Sequence, residues 1–82
     1  MHVTIKYFAS IREAIGQASE QRETAATTLA GLRDELLAMG AAYACLSRGR
    51  AVRMAVGQVM SDESAWLSPG CEVAFFPPVT GG

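Results

Sequence analysis

This 82-residue sequence has little histidine, little cysteine and no basic stripe. One histidine, His2, and two cysteines, Cys45 and Cys71, far apart and outside any C-x-x-C pair, argue against a metal site. In a reducing compartment both thiols are expected to stay free and to pack as small buried groups. The seven Lys and Arg residues are scattered from Lys6 to Arg53 and the formal charge is −1, so no basic stripe offers itself to nucleic acid. No apolar run approaches the roughly 18 residues of a membrane span, and no leader pattern precedes the first strand-like residues. A cytoplasmic location is therefore expected, with no membrane partner. Catalytic groupings are missing too: there is no Ser/His/Asp set, no glycine-rich phosphate loop and no carboxylate pair. Any chemistry must use the C-terminal carboxylate or belong to a partner, and no cofactor is expected on this chain.

What is present is enough for one small domain. Half the residues are hydrophobic and 18% are charged, the balance of a folded chain and not of a disordered one. A chain of this length buries about 60–65% of its unfolded surface, which leaves room for one core layer and no deep cavity.

Val3, Ile5 and Tyr7 alternate with His2, Thr4 and Lys6, a half-buried strand. Phe8 falls on its polar face. Ser10-Ile11-Arg12-Glu13 has the form of a capping box opening a short helix over Ile11 to Ile15, and Gly16 supplies a stop. Polar Ala18 to Thr24 reads as an edge strand paired with the first. Thr27 or Thr28 caps a longer helix running to about Met39, where Leu29, Leu32, Leu36 and Met39 form one buried stripe and Arg33, Asp34 and Glu35 face out. Gly31 inside it costs about 1 kcal/mol relative to alanine, so this helix must draw its stability from packing. Ala41 to Ser47 is ambiguous, with a further helical turn one option, and Arg48-Gly49-Arg50 is a turn. Ala51 to Val56 forms a strand with Val52, Met54 and Val56 inward, broken or bulged at Gly57-Gln58. Trp66 and Leu67 cover one end of the core, Ser68-Pro69-Gly70 turns, and Glu72 to Phe76 is the last strand. Strand, short helix, strand, long helix, strand, loop, strand makes an α+β roll, one sheet with one long helix across it.

Two features stand apart from this plan. If Glu72 faces water, Phe76 does too, and with parallel first and last strands Phe8 and Phe76 share a surface that Met60 can join. Exposed apolar patches on small domains mark interaction sites, although either ring could instead tuck under a loop. Beyond Phe76, Pro77 and Pro78 end strand pairing and stiffen the base of a tail, Val79-Thr80-Gly81-Gly82, that carries no charged side chain. Six residues reach about 20 Å when extended, enough to enter a partner's cleft. Gly81 and Gly82 lack a Cβ, so the backbone can thread a narrow channel. A frayed chain end would show the same composition. Arg12 is either a solvated helix charge or a partner contact.

The ending Phe75-Phe76-Pro77-Pro78-Val79-Thr80-Gly81-Gly82 closely resembles the small subunits of molybdopterin synthases, ubiquitin-like β-grasp sulfur carriers. The resemblance extends to Phe8-Ala9, Arg12-Glu13 and Ala55-Val56-Gly57-Gln58, and so spans the chain; Gly57 stands where the family pattern suggests asparagine. It implies a β-grasp domain over residues 1–76 and an extended tail over 77–82. It further implies that an adenylating enzyme uses ATP to activate the Gly82 carboxylate, that a sulfur donor protein converts it to a thiocarboxylate, and that Gly81 and Gly82 are the reacting end. The tail, Pro77 to Thr80 included, would then enter the large subunit of a two-plus-two heterotetramer. There the sulfur would pass to cyclic pyranopterin monophosphate (precursor Z), building the molybdopterin dithiolene. Phe8, Met60, Phe76 and Arg12 would be the docking residues. Two other readings share the diglycine end: a carrier for thiazole, cysteine or tRNA thiolation, and a ubiquitin-like modifier joined through Gly82 to a target lysine.

Overall fold

The structure, a computed structural model, describes residues 1–78. Strand β1 (His2–Tyr7) is the first element of the chain. Helix α1 (Ala9–Ile15) follows it, then β2 (Ser19–Glu23), helix α2 (Leu29–Leu37) and a 3-10 helix (Ala41–Leu46). Strands β3 (Arg53–Val56), β4 (Val59–Ser61) and β5 (Glu72–Phe76) complete a five-stranded sheet in the order β2-β1-β5-β3-β4. Neighbours are antiparallel except the central pair, β1 and β5, which run parallel with Tyr7 opposite Phe75. The fold is the α+β, ubiquitin-like β-grasp arrangement.

The period-2 pattern determines which face is buried. Val3, Ile5 and Tyr7 on β1 and Val73 and Phe75 on β5 have 1% exposure or less, and Leu29, Leu32 and Leu36 of α2 close over them. Each such side chain contributes about 1.5–3 kcal/mol through its removal from water, so this sandwich outweighs any single cap or ion pair. Thr28 caps α2, its hydroxyl accepting the Gly31 N–H at 3.3 Å. Gly31, costly by helix propensity, has a packing reason: a Cβ there would sit 3.1 Å from the Ala26 Cβ.

Several expectations are corrected. The single long helix is shorter than its apolar stripe suggests, ending at Leu37 with Ala38 as its cap. Met39 is therefore 47% exposed instead of continuing the buried stripe, and the Arg22 guanidinium lies 3.0 Å from its sulfur. Arg33 is buried, not solvated. Its Nε donates to the Leu46 carbonyl at 2.5 Å and its Nη2 to the Ser47 carbonyl at 3.1 Å, so it supplies donors to the orphan end of the 3-10 helix. Trp66 is 75% exposed, and only Leu67 enters the core. Ser10 does not cap α1: the helix begins at Ala9 after Phe8, with no side-chain cap. The Phe8 N–H is bound to Phe75 O at 3.1 Å, and the Phe8 carbonyl accepts from Ile11 and Arg12. The chain must turn within one residue, and Ala9 does so at φ +52°. Gly57-Gln58 neither bulges nor simply ends β3. Both residues have positive φ (56° and 67°), the signature of a type I′ hairpin turn, and the strand it produces, β4, was not anticipated.

Candidate functional site

The parallel register of β1 and β5 builds an aromatic surface at one end of the sheet. Tyr7 and Phe75 face inward as partners and stack with ring centroids 6.2 Å apart. One residue further along each strand, Phe8 and Phe76 face the other way, 6.5 Å apart and edge-to-face at 84°. Phe8 is 47% exposed and Phe76 half-buried. Because Phe8 is tied to β5 through its N–H and to α1 through its carbonyl, its ring is fixed in place without being covered. An aromatic pair fixed in this way loses little entropy on docking, which suits an anchor.

Met60 reaches the same outer face by register: it opposes Ala55 on β3, which opposes Ala74 on β5, next to Phe76. It is 56% exposed, beside Val59 at 65%. Arg53 opposes Phe76 directly and is exposed. Arg12 is exposed on α1 and lines a shallow depression with Glu13, Gly16, Gln17 and Ala18, to the side of the aromatic pair. Beyond the sheet, Pro77 lines a groove of about 220 Å³ between α1 and the segment before β3, together with Ile11, Cys45, Arg50 and Val52. Burial raises the Cys45 thiol above the ordinary cysteine value, so it stays protonated and packs as a small hydrophobe. Pro78 is half-buried at the limit of the described residues. Val79, Thr80, Gly81 and Gly82 lie outside them.

Phe8, Phe76 and Pro77 thus share one end of the sheet, with Met60 on the same outer face two residues back along the strands and Arg12 on the adjoining helix. Arg50 and Arg53 flank the same end; from sequence they read only as parts of a turn and of a strand, which assigns them no role. Among the described residues Arg12, Arg50 and Arg53 form no ion pair, while the other four cations do. Below the patch, the Tyr7 and Tyr43 hydroxyls both donate to Glu20, at 2.5 and 3.2 Å. Burial and that carboxylate hold both phenols above the ordinary tyrosine value. Glu20 thus satisfies both hydroxyls and braces the inner aromatic cluster. Among the described residues no helix is long and apolar enough to cross a membrane.

Comparison with known proteins agrees with this architecture. The ThiS family model matches residues 5–82. The molybdopterin synthase sulfur carrier subunit of Haemophilus influenzae is 35% identical over 81 residues, covering 98% of this chain and 99% of that one. SAMP1 from Haloferax volcanii superposes with a TM-score of 0.78 at 21% identity over the whole of both chains. A chain in the complex of subunits 1 and 2 of molybdopterin-converting factor from Helicobacter pylori does so with a TM-score of 0.71 at 23% identity, again over the whole of both. With a family model covering all but its first four residues and a relative matched nearly end to end, the chain belongs to the ThiS family and is a homologue of molybdopterin synthase sulfur carrier subunits.

Proposed function

We propose that this chain is the sulfur carrier of a molybdopterin synthase and that Gly82 is where the sulfur is held. The observation that carries the reading is the outward Phe8–Phe76 pair at the root of a diglycine tail without charged side chains, on a chain homologous to such carriers from end to end. In the cycle we propose, an adenylating enzyme joins the Gly82 carboxylate to AMP at the expense of ATP. A sulfur donor protein then displaces AMP and leaves a thiocarboxylate. Activation is required because a carboxylate oxygen is a poor leaving group, whereas a thiocarboxylate sulfur is a nucleophile usable near neutral pH.

Docking of the aromatic pair on the large subunit then directs the tail into that subunit's active site, where cyclic pyranopterin monophosphate receives the sulfur. The related complex of subunits 1 and 2 from Helicobacter pylori supports a partner of this kind. The anionic end needs cations to receive it, and the partner must supply them, since the tail has none. Two sulfurs per dithiolene fit two carriers on two large subunits. This chemistry suits the cytoplasm, where Cys45 and Cys71 remain free thiols.

Intact-mass spectrometry tests the first half of the cycle. After incubation with the adenylating enzyme, ATP and a sulfur source, the chain should gain about 16 Da at Gly82, oxygen replaced by sulfur. No gain, with lysine-linked adducts in its place, would favour a protein modifier, the reading that the likeness to SAMP1, a small archaeal modifier protein by name, keeps in view.

A further inference from the structure

An activated carboxyl terminus threatens any amine within reach, the carrier's own included. This sequence holds one lysine, Lys6, against six arginines. A guanidinium stays protonated and does not compete as a nucleophile, so the arginines beside the tail root provide charge without an acceptor. Hydroxyl and thiol esters formed by stray acylation can hydrolyse or exchange, whereas an amide persists. The α-amine of Met1 is tied at the start of β1, the end of that strand away from Phe8, donating to the Thr24 carbonyl at 2.6 Å and lying 3.2 Å from Glu23.

Lys6 lies on the outer face of β1, in the cross-strand row Lys6–Ala74–Ala55–Met60, two residues before Phe8. Its ammonium is paired with Glu72 at 3.4 Å, and Glu72 sits opposite Thr4, so the side chain leans away from the tail. We infer that Lys6 is the one side chain of this protein to which an activated carboxyl terminus can be permanently attached, and that its place on the docking face, with Glu72 holding the ammonium, keeps the carrier from acylating copies of itself. The inference rests on the sulfur-carrier reading. In the reaction avoided, the neutral Lys6 amine of one copy attacks the carbonyl carbon of adenylated Gly82 on another. A C–N bond forms, the bond to the AMP oxygen breaks, AMP departs, and the nitrogen's proton goes to water. On a free copy the pairing with Glu72 is the protection; a partner seated on Phe8 and Phe76 adds cover to the Lys6 of the copy it holds, so two partner-bound copies do not react with each other.

The test begins without any enzyme. N-hydroxysuccinimidyl acetate labels amines, and peptide mapping reads the Lys6 rate separately from that of Met1. Glu72→Gln should raise the Lys6 rate by roughly two- to fivefold, the range expected for releasing an exposed ion pair. Binding the large subunit should lower the Lys6 rate by about tenfold or more while sparing the Met1 amine. With adenylating enzyme and ATP but no sulfur donor, Glu72→Gln should yield more covalent dimer than the native chain, every linkage mapping to Lys6, and adding Lys6→Arg should remove it. Equal labelling rates in Glu72→Gln and the native chain overturn the inference. So does unchanged Lys6 labelling in a complex that calorimetry shows to have formed, or a dimer linked elsewhere. Failure of the complex to form, or absence of the thiocarboxylate mass in a parallel reaction with sulfur, overturns the carrier reading instead.

Discussion

Tyr7 and Phe75 point into the core from paired positions on β1 and β5, while Phe8 and Phe76, one residue on, point out of it. The chemistry of the two pairs is nearly the same, and their surroundings are not. The inner pair is at most 1% exposed, stacked, and backed by Tyr43 and Glu20. The outer pair stands edge-to-face, with Phe8 exposed and Phe76 half-buried. Burial turns one pair into stability; the other pair leaves part of its apolar surface in water, and the proposed docking would use it. The difference arises from strand pleat alone, because a step of one residue changes the face.

Removing the chemical end should have the largest effect on function and the least on the fold. Deleting Gly82 is expected to abolish sulfur transfer, measured as pterin conversion, with an unchanged melting temperature; a parallel loss of stability would mean that the tail also serves the fold. Phe75→Ala should cost about 3–5 kcal/mol in chemical denaturation, the loss typical of emptying a core aromatic site. Phe76→Ala reverses the pattern. Its stability cost should stay under about 1 kcal/mol, while affinity for the large subunit, read by calorimetry, falls by roughly thirtyfold, a hot-spot loss of about 2 kcal/mol. If the two alanine variants behaved alike in both assays, the division between the pairs would fail.

Tyr7→Phe is the mildest probe of the inner pair and should cost about 1 kcal/mol, the net value of one buried hydrogen bond. It also carries a pH signature. Burial, and then the bond to Glu20, raise the Tyr7 phenol above its unfolded value, so the folded state favours the neutral form. That stability is fully present below about pH 10, the unfolded tyrosine value, and is lost as pH rises above it. Tyr7→Phe should flatten the alkaline decline in denaturation curves without altering docking.

The inner half of this account was legible in the sequence because strand alternation is a local signal. The period of Val3, Ile5 and Tyr7 and the bounds of Glu72–Phe76 follow from pleat and from the proline stop. The shared surface of Phe8 and Phe76 was legible only by assuming that β1 and β5 are parallel neighbours. What escaped depends on contacts distant in sequence. Arg33 looks like a surface charge until the carbonyls of Leu46 and Ser47 are brought to it. Strand β4 is three residues long and follows a turn whose second position, Gln58 at φ +67°, is unusual for a residue with a Cβ. The Ser10 cap failed because pairing of Phe8 with β5 starts α1 earlier than its local motif would.

The central claim, that the outer pair delivers a sulfur held on Gly82, is tested most directly by one single-turnover reaction. Thiocarboxylated chain, verified by its mass, is mixed with the large subunit and cyclic pyranopterin monophosphate, and dithiolene-containing product is measured against carrier concentration. The account predicts product from the native chain, and from Phe76→Ala the same plateau reached only at higher concentration. No product from fully thiocarboxylated chain at saturating large subunit would contradict it.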